Sequence, residues 1–332
     1  MTALILSSPA HLILKFLLFI QVSHPATKNH EAYLAHITRR KFLRGAAAAA
    51  TAGMLAIGAD GLVFEPRHPQ LNRIIVPLAR LPQAFDGFTI AQLSDFHYDE
   101  LFSAVTIRKS IDIINSLNPD LVVLTGDFVT VPLFSRGRKA RLAAESVAPC
   151  ALLLHQLRSK SGSFAVLGNH DVASDSTWIT ETIERQGIPV LRNQSVPLER
   201  DGARIWLAGI NDALEGKADI QSTLRLVPDR EFVMLLAHEP DFANLASRHA
   251  VDLQLSGHSH GGQVWLPFVG APWLPPMGRK YPRGMYRVGP LTLYTNIGVG
   301  TIRVPVRLNC PPEVTLFTLR SALQSSDEGF TR

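Results

Sequence analysis

Polarity along the chain follows a repeated rhythm. A short apolar run, too brief for a helix and rich in β-branched or large residues, ends abruptly in a polar residue. "FTIAQL" (88–93) runs into Ser94-Asp95, "LVVLTG" (121–126) into Asp127, and "GSFAVLGN" (162–169) into His170. "FVMLLA" (232–237) runs into His238, and "VDLQLSG" (251–257) into His258. Continuous apolar runs of this length predict strands buried on both faces. Between the first three lie helical patterns. "SAVTIRKSIDIINSLN" places Val105, Ile107, Ile111 and Ile114 near helical spacing, with Pro119 beyond. "RKARLAAESVAPCALLLHQLRSK" predicts a second helix that Pro149 should kink or split. "TWITETIERQG" predicts a third, stopped by Gly187. After His238 the pattern turns β-rich, with "TLYTNIG" and "EVTLFTL" as late strands.

The N-terminal region has a different texture. "HLILKFLLFI" is broken by Lys15 and is short for a bilayer span. "TRRKFLRGAAAAATAGMLAIGADGLVF" sets Arg39-Arg40 before Phe42-Leu43, and no charge falls between Gly45 and Ala59. This resembles a twin-arginine export signal, which implies a periplasmic or otherwise extracytoplasmic location. Without a clear cleavage site, the segment is expected to serve equally as a membrane anchor. The expected organisation is a signal or anchor over 1–64, a linker and edge strand over 65–87, a catalytic domain over 88–320 and a polar tail over 321–332.

Composition narrows the function classes. The chain has 332 residues, 46% of them hydrophobic and 18% charged, which suits a large folded core. Its net charge is +5, but the first 65 positions hold six basic and three acidic residues, leaving the remainder near neutral. No nucleic-acid partner is expected from so diffuse a charge. Cys150 and Cys310 are the only cysteines, too few for a thiolate metal site. One disulfide between them is conceivable in an oxidising compartment.

The strand-terminal residues share a chemistry. Asp95 and His97 in "SDFH", Asp127 in "TGDF", Asn169, His170 and Asp171 in "GNHD", His238 in "AHEP", and His258 and His260 in "GHSH" are all oxygen or imidazole donors. Such a set suits Mn, Fe or Zn ions. Asp95 and His97, like His258 and His260, stand two apart and so share one face of extended backbone. Sites in open α/β sheets form outside the carboxyl ends of strands, so the five strand ends point to one place.

In this order, D-x-H, G-D, G-N-H-D, H and G-H-x-H, the residues resemble the calcineurin-like metallophosphoesterase superfamily. "GHSHGGQ" together with the leader resembles its exported, YkuE/YaeI-like branch. The resemblance implies an α/β fold, a two-sheet α/β/β/α sandwich with a dimetal site at the strand ends. It also implies hydrolysis of a phosphodiester or pyrophosphate by metal-activated water. Asp95, His97 and His260 would hold one ion, Asn169, His238 and His258 the other, and Asp127 would bridge. His170 would be the catalytic histidine rather than a ligand. Many members carry an acid three residues after the bridging aspartate to orient that histidine. Thr130 stands there instead, and Asp171 is the nearest substitute.

A lipid-linked substrate such as UDP-2,3-diacylglucosamine is the leading expectation. A soluble periplasmic nucleotide and a non-catalytic metal-binding scaffold are the alternatives. Trp265, Trp273 and Tyr281, with Arg279, Lys280 and Arg283, outline a lip facing substrate or membrane, or else a packed loop. His155 reads as a helix residue, His249 as surface or as a support behind the site, Asp99 and Glu100 as loop charges near enough to shape the site, and Asn211 and Asp212 as a turn cap or else part of the cleft lining.

Overall fold

A computed structural model describes residues 39–131 and 143–321. The "HLILKFLLFI" stretch and most of the polar tail lie outside the described residues. The chain divides into two compact units, residues 1–65 and 66–332. In the first, helix α1 (Arg39–Ala59) carries the paired arginines at its start and has no buried residue. The helical stretch Arg39–Arg67 is long and apolar enough to cross a membrane by length and composition.

The second unit holds two sheets. The first contains β1 (Gln70–Leu78), β2 (Thr89–Leu93), β3 (Leu121–Thr125), β4 (Ser163–Val166) and β11 (Glu313–Ser321), in the order β1-β11-β2-β3-β4. The other contains β5 (Gln194–Arg200), β6 (Ala203–Gly209), β7 (Val233–Leu236), β8 (Leu253–Ser256), β9 (Gly284–Val288) and β10 (Leu291–Thr295), in the order β5-β6-β7-β8-β10-β9. Strands β2, β3 and β4 are mutually parallel, as are β6, β7, β8 and β10.

Period-two alternation explains why the strand sequences read as unbroken apolar runs. Ile90, Leu121, Val123, Leu207, Met234 and Leu236 face a core between the sheets. Their neighbours Ala91, Val122 and Leu124 face the opposite way, under helices α2 (Ser103–Leu117), α3 (Val147–Leu154) and α4 (Asn169–Glu184). Trp206, Val233 and Leu235 face α5 (Ile220–Leu224) and α6 (Ala243–Ala246) on the far side. Three apolar layers thus separate four structural layers, the α/β/β/α sandwich expected from the motifs.

The helix expected around Pro149 is split there: helical residues 143–144 end in a turn at 145–146, and α3 starts afresh with Pro149 in its first turn, where a missing N–H costs nothing. Cys150 and Cys310 are both buried and are not joined in a disulfide. Cys150 packs in the helix-side core, while the Cys310 thiol donates to the His260 carbonyl at 3.1 Å.

Candidate functional site

The carboxyl ends of β2, β3 and β4 meet those of β7 and β8. Gln92 ties the sheets there, donating to Thr125 Oγ1 of β3 and to the Ser256 carbonyl of β8. Beyond the strand ends the backbone turns sharply. Asp95, His97, Asp127, His258 and His260 all have positive φ, between 39° and 70°. Asp and His tolerate this region better than most residues, yet each costs about 1 kcal/mol or more. Such strain concentrates where function requires a particular side-chain direction. Gly261 and Gly262, also at positive φ, complete the turn after His260.

These turns bring the expected donors together in three overlapping groups, Asp95 with His97 and His260, His97 with Asp127 and His170, and Asp127 with His238 and His258. Within each group the donor atoms lie within 4.8 Å of one another. Asp127 is common to the last two. Its Oδ2 is 3.4 Å from His97 Nε2 and 3.2 Å from His238 Nε2, and its Oδ1 accepts from the His170 amide at 2.9 Å. Asn169 joins the third group, with Oδ1 3.0 Å from His258 Nδ1.

Hydrogen bonds to the far side of each ring decide which nitrogen faces the cluster. His97 Nδ1 meets the Val129 carbonyl at 3.2 Å, His238 Nδ1 the Thr125 carbonyl at 2.6 Å, and His258 Nε2 the Pro276 carbonyl at 2.7 Å. Each N–H donates outward and leaves a lone pair inward. His97 Nε2 and His260 Nε2 stand only 3.0 Å apart, with Asp95 Oδ1 3.3 Å from His260 Nε2. Among the described residues no outward partner holds His260 Nδ1, so its Nε2 is free to turn a lone pair toward a cation shared with His97 and Asp95. His238 Nε2 is buried without a hydrogen bond. The residues therefore fit divalent ions on both sides of Asp127.

The electrostatics agree. Burial pushes His97 down to about 3 and His258 down to about 4, and burial with the His97 and Arg307 charges holds His260 well below the usual range. All three rings are neutral at pH 7 and available to a cation. Burial opposes charge on His238, but the adjacent Asp127 carboxylate overrides it and holds that ring well above its ordinary value. Burial raises Asp95 to about 6, and the neighbouring Asp127 charge adds to this. Burial would also raise Asp127, but the adjacent His238 charge holds it well below the carboxylate range. The Asp127 carboxylate thus makes the inward position beside His238 Nε2 favourable for positive charge.

The supporting residues differ from expectation. Asp171 does not orient His170. It sits in the first turn of α4, and its carboxylate accepts four backbone N–H groups, from Asp127 (2.8 Å), Phe128 (2.9 Å), Val129 (3.2 Å) and Gly168 (3.0 Å). It clamps the β3 turn to the β4 turn. His170 is oriented by the main chain, since the Val131 amide donates to its Nδ1 at 2.9 Å. Thr130 serves His97 instead, with Oγ1 3.0 Å from His97 Nδ1. Gly168 leaves no room for a side chain, because a Cβ would lie 2.7 Å from His238 Cε1.

Arg307, unremarked in the sequence, is fully buried and donates to the carbonyls of Ile297, Gly298, Gly300 and Cys310. That loop in turn holds Asp95, whose carbonyl accepts from the Gly300 amide at 2.8 Å. No run or motif marks an arginine whose acceptors lie three to ten residues away.

The remaining candidates stand outside the three donor groups. Asp212 caps a turn through the amides of Leu214, Glu215 and Gly216. Asp99 accepts from Leu101 and Phe102 at the start of α2. His155 caps the end of α3, exposed. Tyr281 is buried in the outer core of the second sheet and is no part of an exposed lip.

Comparison with known proteins agrees with this geometry. The calcineurin-like phosphoesterase profile matches residues 88–262. The uncharacterized metallophosphoesterase YkuE of Bacillus subtilis is 37% identical over 291 residues, covering 86% of this chain and 98% of that protein. Phosphodiesterase YaeI of Escherichia coli is 31% identical over 287 residues, covering 85% of this chain and 99% of that one. A transmembrane protein with metallophosphoesterase domain from Danio rerio is 30% identical over 282 residues, covering 79% of this chain and 60% of that one. The chain belongs to the calcineurin-like phosphoesterase family, and it is a metal-dependent hydrolase of phosphoester bonds.

Proposed function

We propose that the chain hydrolyses a phosphodiester or pyrophosphate in the cluster built around Asp127, with Asp95, His97 and His260 holding one divalent ion and Asn169, His238 and His258 the other. The observation that carries this reading is the shared carboxylate, with one oxygen of Asp127 within 3.4 Å of an inward ring nitrogen on each side. Two bound ions would supply a water acidic enough to ionise near neutral pH and would clamp the phosphoryl oxygens.

The side chains do the rest. Asp127 offsets the repulsion between two close dications. Asn169 offers an oxygen without adding negative charge, which keeps the centre attractive to phosphate. His170, with Nδ1 occupied by the Val131 amide, carries its proton on Nε2 and presents it as a hydrogen-bond donor to charge developing on the substrate. Residues 88–320 form the hydrolase unit in this reading. Arg39-Arg40 and the apolar α1 direct twin-arginine export and hold the chain at a membrane.

The test is hydrolysis of bis-p-nitrophenyl phosphate by the full chain in detergent, after chelation and re-addition of Mn²⁺, Zn²⁺, Fe²⁺ or Mg²⁺. Asp127→Asn and His170→Ala are run in parallel, with UDP-2,3-diacylglucosamine and a nucleotide diester as competing substrates. Metal-dependent turnover lost in both variants supports the proposal. Turnover by either variant at the parent rate refutes the role given to that residue.

A further inference from the structure

The loop that follows the last candidate ligands has a surface unlike the rest of the unit. Its tip is a tight turn in which the Leu266 amide donates to the Gly270 carbonyl and the Gly270 amide to that of Leu266. The turn projects Phe268 fully into solvent, with Val269 beside it at 73% exposure. Phe268 also has φ +66°, a conformation a bulky aromatic residue avoids. Strain and full exposure together are two costs that folding alone does not explain.

Trp273 is half exposed a few residues on. The Arg303 guanidinium lies over its ring at 5.1 Å, and that of Arg283 lies over Trp265 at 3.7 Å. Between Leu253 and Pro312 the sequence has no Asp or Glu, yet it carries Arg279, Lys280, Arg283 and Arg303 among its basic residues. Asp241, from a preceding turn, spends its carboxylate on the amides of Lys280 and Tyr281.

Aromatic residues at a tip, Arg–Trp pairs behind it and a background of one sign form the chemistry of an anionic bilayer surface. Apolar side chains enter the acyl boundary, and the cations and indoles remain at headgroup level. We infer that the 264–276 loop docks on an anionic lipid surface and sets the donor cluster around Asp127 against it. The loop is joined to the cluster at both ends. His258 donates to the Pro276 carbonyl, and Gly262 fits so closely that a Cβ would lie 2.8 Å from the Trp273 carbonyl. This inference rests on the surface alone and stands apart from the catalytic reading.

The native cysteines are both buried, so an introduced exposed cysteine takes a fluorescent label selectively. Val269→Cys and, as a control, Asp201→Cys are labelled in the full chain and reconstituted with vesicles carrying a lipid-borne quencher. The vesicles are either phosphatidylcholine alone or phosphatidylcholine with phosphatidylglycerol. Asp201 lies in the turn before β6, at the opposite end of its sheet from the cluster, so it reports anchoring by α1 without docking of the loop.

The expected result is strong quenching at position 269 that deepens with phosphatidylglycerol, with little at position 201. Adding Phe268→Ser should weaken the quenching at 269 while the far-ultraviolet circular dichroism stays unchanged. Equal quenching at 269 and 201, no quenching at 269, or indifference to phosphatidylglycerol overturns the inference. Because the readout needs no turnover, failure of the hydrolase reading would leave it intact.

Discussion

Asp171 offers the sharpest structural test, because one fully buried carboxylate satisfies four backbone amides. Asp171→Asn keeps the shape and half of the acceptor capacity. One oxygen becomes an NH₂ group and confronts the two amides it formerly accepted, either those of Asp127 and Gly168 or those of Phe128 and Val129. Each buried amide left unsatisfied costs about 1–3 kcal/mol, so a loss of roughly 2–6 kcal/mol follows. Asp171→Ala strands all four donors and approaches the total stability of an ordinary domain, about 5–15 kcal/mol, so that variant should not accumulate folded. Urea unfolding of the metal-free chain, with parent and Asp171→Asn compared at one pH, gives the difference directly. The Asn variant should also bind metal more weakly, since the clamp fixes the Asp127 turn. A change below about 1 kcal/mol would refute the view that this carboxylate holds the two turns together.

Other outcomes follow from the same geometry. Gly168→Ala should destabilise the unit in urea unfolding and lose most of its metal affinity, measured by metal content after dialysis, because its Cβ would crowd the Asp127 carboxylate and lie 2.7 Å from both the Asp127 amide nitrogen and His238 Cε1. Thr130→Val should weaken metal binding by about tenfold, read by competition with a chelator, because it removes one of the two partners of His97 Nδ1. In the metal-free chain, His97 and His258, held near 3 and 4 by burial, should stay neutral. Their ring resonances should therefore not move between about pH 5 and pH 8, where an ordinary histidine titrates. A midpoint near 6.5 for either would contradict its depressed value.

The strands and most of the site were legible because both rest on simple repetition. Strands buried on two faces must be apolar throughout, so Ile90, Leu121 and Met234 stand in runs that end where the donors begin. What escaped notice had no such signature. The pattern predicts the third helix only from Thr177, because the first turns of α4 lack apolar periodicity and it kinks at Asp175, yet α4 opens at Asn169. The roles of Val131 and of the outward ring contacts are played by backbone groups, which no side-chain pattern reports. Thr130 looked like a missing acid for His170, whereas the backbone turn gave it to His97. The β5–β6 hairpin did carry a readable signal. Asp201-Gly202, both at positive φ, is the turn that a two-residue hairpin favours.

The most direct test of the central claim is a titration of the chelated full chain with Mn²⁺, following bound metal and bis-p-nitrophenyl phosphate hydrolysis in one experiment. The account predicts that turnover rises until two ions are bound per chain, and that Asp127→Asn loses both the second ion and the activity. Full turnover without metal, or with a single ion, would contradict it.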